Sequence, residues 1–116
     1  MPHQENLFAR QAEIFGALAH PLRVAIVECL QDGERCVCEI AEQVTSERSN
    51  ISHHLSLMVR AGVLSSRKQG LQVFYRLRCK CIAKFISCVE GVLREQLVET
   101  EALLRHVTER MEAPAK

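Results

Sequence analysis

Six cysteines stand in this chain of 116 residues, and four of them form two Cys-x-Cys pairs. Cys36 and Cys38 flank a valine, Cys79 and Cys81 flank a lysine, and Cys88 follows seven residues later. Thiolates bind soft ions such as trivalent arsenic or antimony, cadmium, lead, zinc and copper(I). Structural zinc modules usually place two to four residues between paired cysteines, so this spacing does not indicate a zinc finger. Core packing, disulfide formation and ion binding are all open at this point.

The bulk composition of the chain is that of an ordinary folded domain. About half of the residues are apolar, a quarter are charged and the net charge is +1, so any nucleic-acid site has to be local. We find no signal peptide and no stretch near the roughly 18 apolar residues of a membrane span. We therefore expect a cytoplasmic protein with no membrane partner. In that reducing compartment the cysteines should be thiols rather than disulfides.

The spacing of apolar residues predicts one domain over residues 1–116, mainly α-helical with a small β-hairpin. Three helices followed by a hairpin is the plan of a winged helix–turn–helix protein. The predicted elements are a first helix over about residues 5–19, a second helix from Pro21, a helix–turn–helix over about 36–61, a wing over about 63–78 and a long last helix over about 80–108.

The first and last predicted helices exceed what a winged core needs. The last helix has an apolar face over most of its length, and such a face is usually buried against a partner. We therefore predict a homodimer that forms through these two helices. The apolar positions of the last helix are Ile82, Phe85, Ile86, Val89, Leu93, Leu97, Leu104 and Val107.

The second helix of the helix–turn–helix has a polar face suited to reading DNA. Short hydrogen-bonding groups and one arginine follow each other at i, i+3, i+4, i+7 and i+11, without an acid. Compact donors and acceptors fit the major groove, whereas a merely solvated helix face usually shows Glu and Lys. The predicted DNA-binding residues of this helix are Arg48, Ser49, Asn50, Ser52, His53, Ser56 and Arg60.

The wing carries basic residues beside its predicted turn, Gln69-Gly70. Arg67 and Lys68 precede the turn, and Arg76 follows it. Phosphate contact is their predicted role, because such contacts position a protein on DNA without specifying sequence. Basic surface residues without a role in DNA binding would give the same sequence pattern.

Two segments, "SNISHHLSLMVRAGVLSSRKQGLQVFYRL" and "ALAHPLRVAIVECL", resemble the ArsR/SmtB family of winged-helix repressors. The resemblance implies a dimer on an imperfect palindromic operator, released by a metal ion or metalloid. Trivalent arsenic or antimony is the first choice of inducer, cadmium or lead the second, and zinc is also possible. The resemblance also implies that His54 has a structural role. The matching positions are Ser49, Ser52, His54, Leu55, Ala61, Gly62, Arg67, Lys68 and Gly70.

The segment "ERCVCEIA" resembles the corresponding Cys-Val-Cys segment of the arsenic- and cadmium-responsive members of the family. The resemblance implies that Cys36 and Cys38 are ion ligands. Arsenic-responsive members with this motif have another cysteine where this chain has Ala41, so the third ligand is open. Two positions on a regular helix differ by about 200°, so the two sulfurs should reach one ion only if the first turn unwinds. That distortion is our hypothesis for release from DNA.

Zinc-responsive members of the family bind their zinc ion through residues of the last helix. The resemblance aligns Cys79, Cys81, Val92 and Glu95 with those zinc ligands. Val92 cannot bind an ion, so that zinc site is not intact here. Cys79, Cys81 and Cys88 could instead form a three-thiolate site, or one of them could complete the site at Cys36 and Cys38.

Two alternatives to a metal-sensing repressor follow from the same residues. One is a thiol redox or persulfide sensor of the same fold, and the other is a metal carrier that does not bind DNA. An enzyme is disfavoured, because no set of nucleophile, base and acid and no phosphate-binding loop can be found.

Overall fold

The structure is a computed structural model that describes residues 2–113, with side chains described from residue 6 onward. The chain divides into two compact units, one up to Ala83 and one from Lys84. The helices and strands are α1 (Pro2–Leu18), α2 (Pro21–Cys29), β1 (Arg35–Cys36), α3 (Val37–Val44), α4 (Arg48–Arg60), β2 (Leu64–Gln69), β3 (Gln72–Leu77) and α5 (Cys81–Glu112).

The break between α1 and α2 is set by local chemistry. His20 is the N-cap of α2, and its Nδ1 accepts a hydrogen bond from the backbone N–H of Leu22 at 3.0 Å. Pro21 follows at the first helical position, where its missing N–H costs no helical hydrogen bond. These two residues start α2 at the predicted place.

One core joins α2, α3 and α4 to the sheet. Its members are fully or almost fully buried, and burial of each large aliphatic side chain contributes about 1.5–3 kcal/mol. The core thereby fixes how α4 sits against α3 and the sheet. The most buried side chains are Ile26, Val27, Ile40, Ile51, Leu55, Met58, Val63 and Leu64.

The helix–turn–helix consists of α3 and α4. Thr45 closes α3 in a left-handed conformation with φ of 47°, and Glu47 is the N-cap of α4. Gly62, with φ of 87°, ends the motif, and a glycine takes this backbone conformation without steric cost. The motif therefore spans the region that the sequence predicts.

The wing is part of a three-stranded antiparallel sheet with the strand order β1-β3-β2. β2 and β3 form the predicted hairpin, and Gly70 in its turn has φ of 63°. β1 is a two-residue strand that the sequence analysis did not predict. It pairs Cys36 with Phe74, which in turn pairs with Arg67, so these three residues form one row across the sheet.

α5 is a continuous helix of 32 residues, and at 1.5 Å per residue it is about 48 Å long. None of its residues is buried in the single chain. Its apolar face is between 43% and 60% exposed at Val89, Leu93, Leu97 and Val107. Among the described residues, no helix is long and apolar enough to cross a membrane.

Candidate DNA-binding face and cysteine site

α4 has one face in the core and one in solvent. Ile51, His54, Leu55 and Met58 are buried, at the spacing of one side of a helix. All seven residues predicted to bind DNA through this helix are exposed: Arg48, Ser49, Asn50, Ser52, His53, Ser56 and Arg60. Asn50 also donates to the Ser46 hydroxyl at 3.2 Å. The described part of α4 thus presents its polar stripe without obstruction.

The adjacent histidines of α4 have different environments. His53 is exposed, whereas His54 is only 6% exposed and accepts a hydrogen bond at Nδ1 from Arg23 Nε at 3.0 Å. The His54 ring lies 4.5 Å from the ring of His20. Burial lowers the pKa of His54 below its ordinary value, and the charges of His20 and Arg23 lower it further. His54 therefore anchors α4 to the start of α2 as a neutral side chain.

Of the three wing residues predicted to contact phosphate, Arg76 is exposed, whereas Arg67 and Lys68 differ in what they contact. The Arg67 guanidinium donates from Nε to both carboxylate oxygens of Glu34, at 3.0 and 2.8 Å. It also donates to Gln69 Oε1 at 2.6 Å and lies 4.8 Å from the centre of the Phe74 ring. Lys68 is exposed and, as the next residue of the strand, projects from the opposite face of the sheet.

Sequence reasoning missed Glu34 as a partner of the wing. The pair joins residues 33 positions apart, and Glu34 directly precedes β1, a strand that the sequence did not predict, so no local pattern could have found the contact. Arg67 is thus bound within the chain, whereas Lys68 and Arg76 are exposed wing charges as predicted from the sequence.

Cys36 lies outside the α3 helix, where it is the N-cap with an extended backbone. Its side chain is 6% exposed, and its Sγ donates to Glu39 Oε1 at 3.2 Å. The same oxygen accepts the Cys36 backbone N–H at 3.3 Å. The hydrogen bonds from the Cys36 side chain and backbone hold the pKa of the Glu39 carboxyl below its ordinary value.

This position corrects one step of the sequence reasoning. The sequence predicts that Cys36 and Cys38 lie about 200° apart on one regular helix, but only Cys38 is helical. The chain already leaves helical geometry at Cys36, so approach of the two sulfurs does not require the first turn to unwind. Cys36 must instead turn out of its buried position, since Cys38 is exposed and Cys36 is not.

A cleft connects the first cysteine pair with the DNA-binding face. It has contributions from the start of α3, from α4 and from the tip of the wing. Arg48 and Ser52 of the polar stripe therefore line the same cavity as Cys36 and Cys38. The residues that line the cleft are Cys36, Val37, Cys38, Arg48, Ser52, Leu71, Gln72 and Val73.

The second cysteine group lies around the start of α5. Cys79, Cys81 and Cys88 are all exposed, and all six cysteines of the chain are free thiols. Cys29, on α2, is half-buried and its Sγ donates to Gln43 Oε1 at 2.9 Å. Within residues 6–113 of a single chain, no three His, Cys, Asp or Glu side chains are grouped so as to hold a metal ion.

The comparisons with known proteins give the chain its family. Residues 20–66 match the family model of bacterial regulatory proteins of the arsR family. The chain is 36% identical over 101 residues to Rv0081, an uncharacterized HTH-type transcriptional regulator of Mycobacterium tuberculosis, covering 86% of this chain and 89% of that protein. This chain belongs to the ArsR family. It is also 32% identical over 101 residues to the arsenical resistance operon repressor of Escherichia coli, covering 86% of each protein.

A solved structure of an ArsR-type domain supports the fold. The homodimeric winged helix-turn-helix DNA-binding domain of a possible ArsR-family regulator from Mycobacterium bovis superposes with a TM-score of 0.73 at 27% identity, covering 84% of this chain and 90% of that chain. The family resemblance and the fold class are therefore confirmed. The protein is a DNA-binding transcriptional repressor of the ArsR/SmtB type, which disfavours a metal carrier and an enzyme.

Proposed function

We propose that this ArsR-family protein binds operator DNA as a homodimer and is released when a soft metal or metalloid ion binds its cysteines. Trivalent arsenic or antimony is the first choice, cadmium or lead the second, with zinc a further candidate. The observation that carries the proposal is the cleft in which Cys36 and Cys38 lie beside Arg48 and Ser52.

On the DNA side, the exposed stripe of α4 would read base edges in the major groove. Arg48 and Arg60 mark the two ends of this helix, where they can reach phosphates. Lys68 adds a charge from the wing. The buried face of α4 keeps this arrangement rigid, because Ile51, Leu55 and Met58 have no exposed surface.

Of the two cysteines that would bind the ion, Cys38 is exposed and Cys36 is buried. Ion binding requires both thiols to lose their protons. Cys36 then has no thiol proton to donate to Glu39, so one of the two hydrogen bonds between these residues at the start of α3 is lost. A third ligand would come from Cys79, Cys81 or Cys88 of the same chain or the partner chain, or from solvent.

The shared cleft provides a route from the ion to DNA. An ion held by Cys36 and Cys38 would displace the start of α3 and alter the space occupied by Arg48 and Ser52. The backbone of Cys36 is also paired with Phe74 of the wing, so the same displacement would reach β3. Both DNA-contacting elements would thereby leave the geometry that fits the operator.

The homodimer would form through α1 and α5. Both helices expose apolar side chains in the single chain, including Leu7 and Phe8 on α1 and Leu93 and Leu97 on α5. A large exposed apolar surface on a protein of this size indicates an association site. The second protomer would place a second α4 on the other operator half-site.

The proposal is tested by gel shift on a duplex from the protein's own promoter, with arsenite, Cd(II), Pb(II) or Zn(II) titrated in. Cys36→Ser and Cys38→Ser should each bind DNA like the wild type and lose the release by the ion. Cys29→Ser is the matched control, because that thiol bonds to Gln43 away from the cleft, and it should still respond. Release that persists in both variants would move the site to the second cysteine group.

A redox or persulfide sensor is the second candidate. Cys79 and Cys81 are exposed and stand among Arg78, Lys80 and Lys84, and reactive cysteines are found in exposed, electropositive surroundings. Under this alternative, peroxide in the presence of a chelator should release DNA, and a reductant should restore binding. Arsenite should then have no effect that depends on Cys36 or Cys38.

A further inference from the structure

The contact between Arg67 and Glu34 occupies the Nε–NH2 edge of the arginine side chain. Nε donates to both carboxylate oxygens, NH2 donates to Glu34 Oε1, and NH1 donates to Gln69. One face of the guanidinium also rests on the Phe74 ring. The edge that binds Glu34 is one of the two edges through which an arginine can bind a phosphate in bidentate fashion, and NH1, on the other edge, donates to Gln69.

Both partners are placed where DNA could compete for the arginine. The Arg67 side chain is 51% exposed and that of Glu34 is 27% exposed, so the pair lies at the surface of the wing. The Arg67 hydrogen bond keeps the pKa of the Glu34 carboxyl below its ordinary value, and Arg76 adds to this effect. Glu34 is therefore negatively charged at neutral pH, and its carboxylate occupies an edge of Arg67 that could otherwise bind a phosphate.

We propose that Glu34 is an internal competitor of DNA phosphate, and that its bidentate contact withholds Arg67 from the DNA backbone. The contact acts as an autoinhibitory clamp that lowers the sequence-independent affinity of the wing. The operator contacts of α4 then account for a larger share of binding, so the clamp increases discrimination between operator and bulk DNA.

The clamp also belongs to the segment that carries the first cysteine pair. Glu34 lies two residues before Cys36, and Cys36 and Arg67 pair with the same residue of β3, Phe74. The position of Glu34 relative to Arg67 is therefore fixed by the short β1 strand. The contact is present in the structure and involves neither cysteine side chain, so the inference concerns DNA binding alone and does not depend on ion sensing.

The test measures binding to a labelled duplex of mixed sequence by fluorescence anisotropy over a series of salt concentrations. Glu34→Gln keeps the shape and removes the charge that holds Arg67. We expect affinity at low salt to rise about fivefold per protomer, the upper end for an exposed ion pair. The slope of log K against log salt should steepen by about 0.9 per protomer, the value for one added phosphate contact.

Two controls separate the clamp from a general loss of negative charge. Asp32→Asn removes a charge from the same turn at a residue outside the clamp, and it should leave the salt slope unchanged. In an Arg67→Ala background, Glu34→Gln should have no more effect than Asp32→Asn. An unchanged slope in Glu34→Gln, or weaker binding, would overturn the inference, whereas failure of the wild type to bind any duplex would count against the proposed function instead.

Discussion

The bond between Arg23 and His54 gives a sharp test of how α4 is held. Arg23→Met keeps the aliphatic stem and removes the donor, so His54 Nδ1 is left as a buried acceptor without its partner. It also removes the weaker bond of 3.3 Å from Arg23 to the carbonyl oxygen of Gly16. The two bonds together tie the end of α1, the start of α2 and α4 to one side chain.

The size of the effect follows from the bond that is lost. A hydrogen bond from a charged donor contributes about 1.5–3 kcal/mol, and the exposed bond to Gly16 contributes less. We therefore expect Arg23→Met to lower the free energy of unfolding by about 2 kcal/mol. For a domain of this size, that corresponds to a Tm lower by roughly 10 °C.

The assay is urea unfolding at pH 7.5, followed by circular dichroism at one fixed protein concentration, because the stability of a homodimer depends on concentration. Arg10→Met is the matched control, since Arg10 is exposed on α1 and its pair with Glu13 is a loose 3.9 Å. That control should change stability by less than about 0.5 kcal/mol. Equal losses in the two variants would refute the assigned role of Arg23.

Three further predictions concern stability. The pKa of His54 lies below its ordinary 6.5 in the folded protein. The free energy of unfolding should therefore be highest above about pH 6.5 and fall as the pH drops through the folded pKa. Urea midpoints across this range test the prediction, and His54→Gln should make them depend less on pH. Leu55→Ala should cost about 2–5 kcal/mol in urea unfolding, because Leu55 has no exposed surface, and a loss under 1 kcal/mol would contradict the core assignment. Gly62→Ala should lower the free energy of unfolding by about 1 kcal/mol through backbone strain alone, since no atom lies within 4 Å of the added Cβ; unchanged stability would show that the turn adapts.

The sequence predicted best what local periodicity encodes. Both faces of α4 follow from its helical spacing, so the buried Leu55 and the exposed Ser52 were both assigned from the residues alone. The hairpin followed from a turn signal at Gln69-Gly70. These features need only neighbouring residues, which a single sequence displays directly.

What escaped prediction depends on contacts between distant residues. β1 has two residues and exists only because β3 pairs with it, so no periodicity could reveal it. Cys36 was placed on the helix, and its burial as the N-cap of α3 was therefore missed. The Glu34–Arg67 contact follows from that same strand, since β1 brings the turn at Glu34 beside the wing.

The separation of the two faces of α4 has a consequence for engineering. Ser49, Ser52, His53 and Ser56 are exposed, whereas the residues that hold the helix in place lie on its other side. Substitutions on the outer face should therefore change operator preference at little cost to folding, because surface changes usually alter stability by less than about 0.5 kcal/mol. Deletion of a single residue between Ile51 and Leu55 would instead rotate the two parts of each face by about 100° relative to each other. New specificities should therefore be sought by substitution rather than by deletion within the helix.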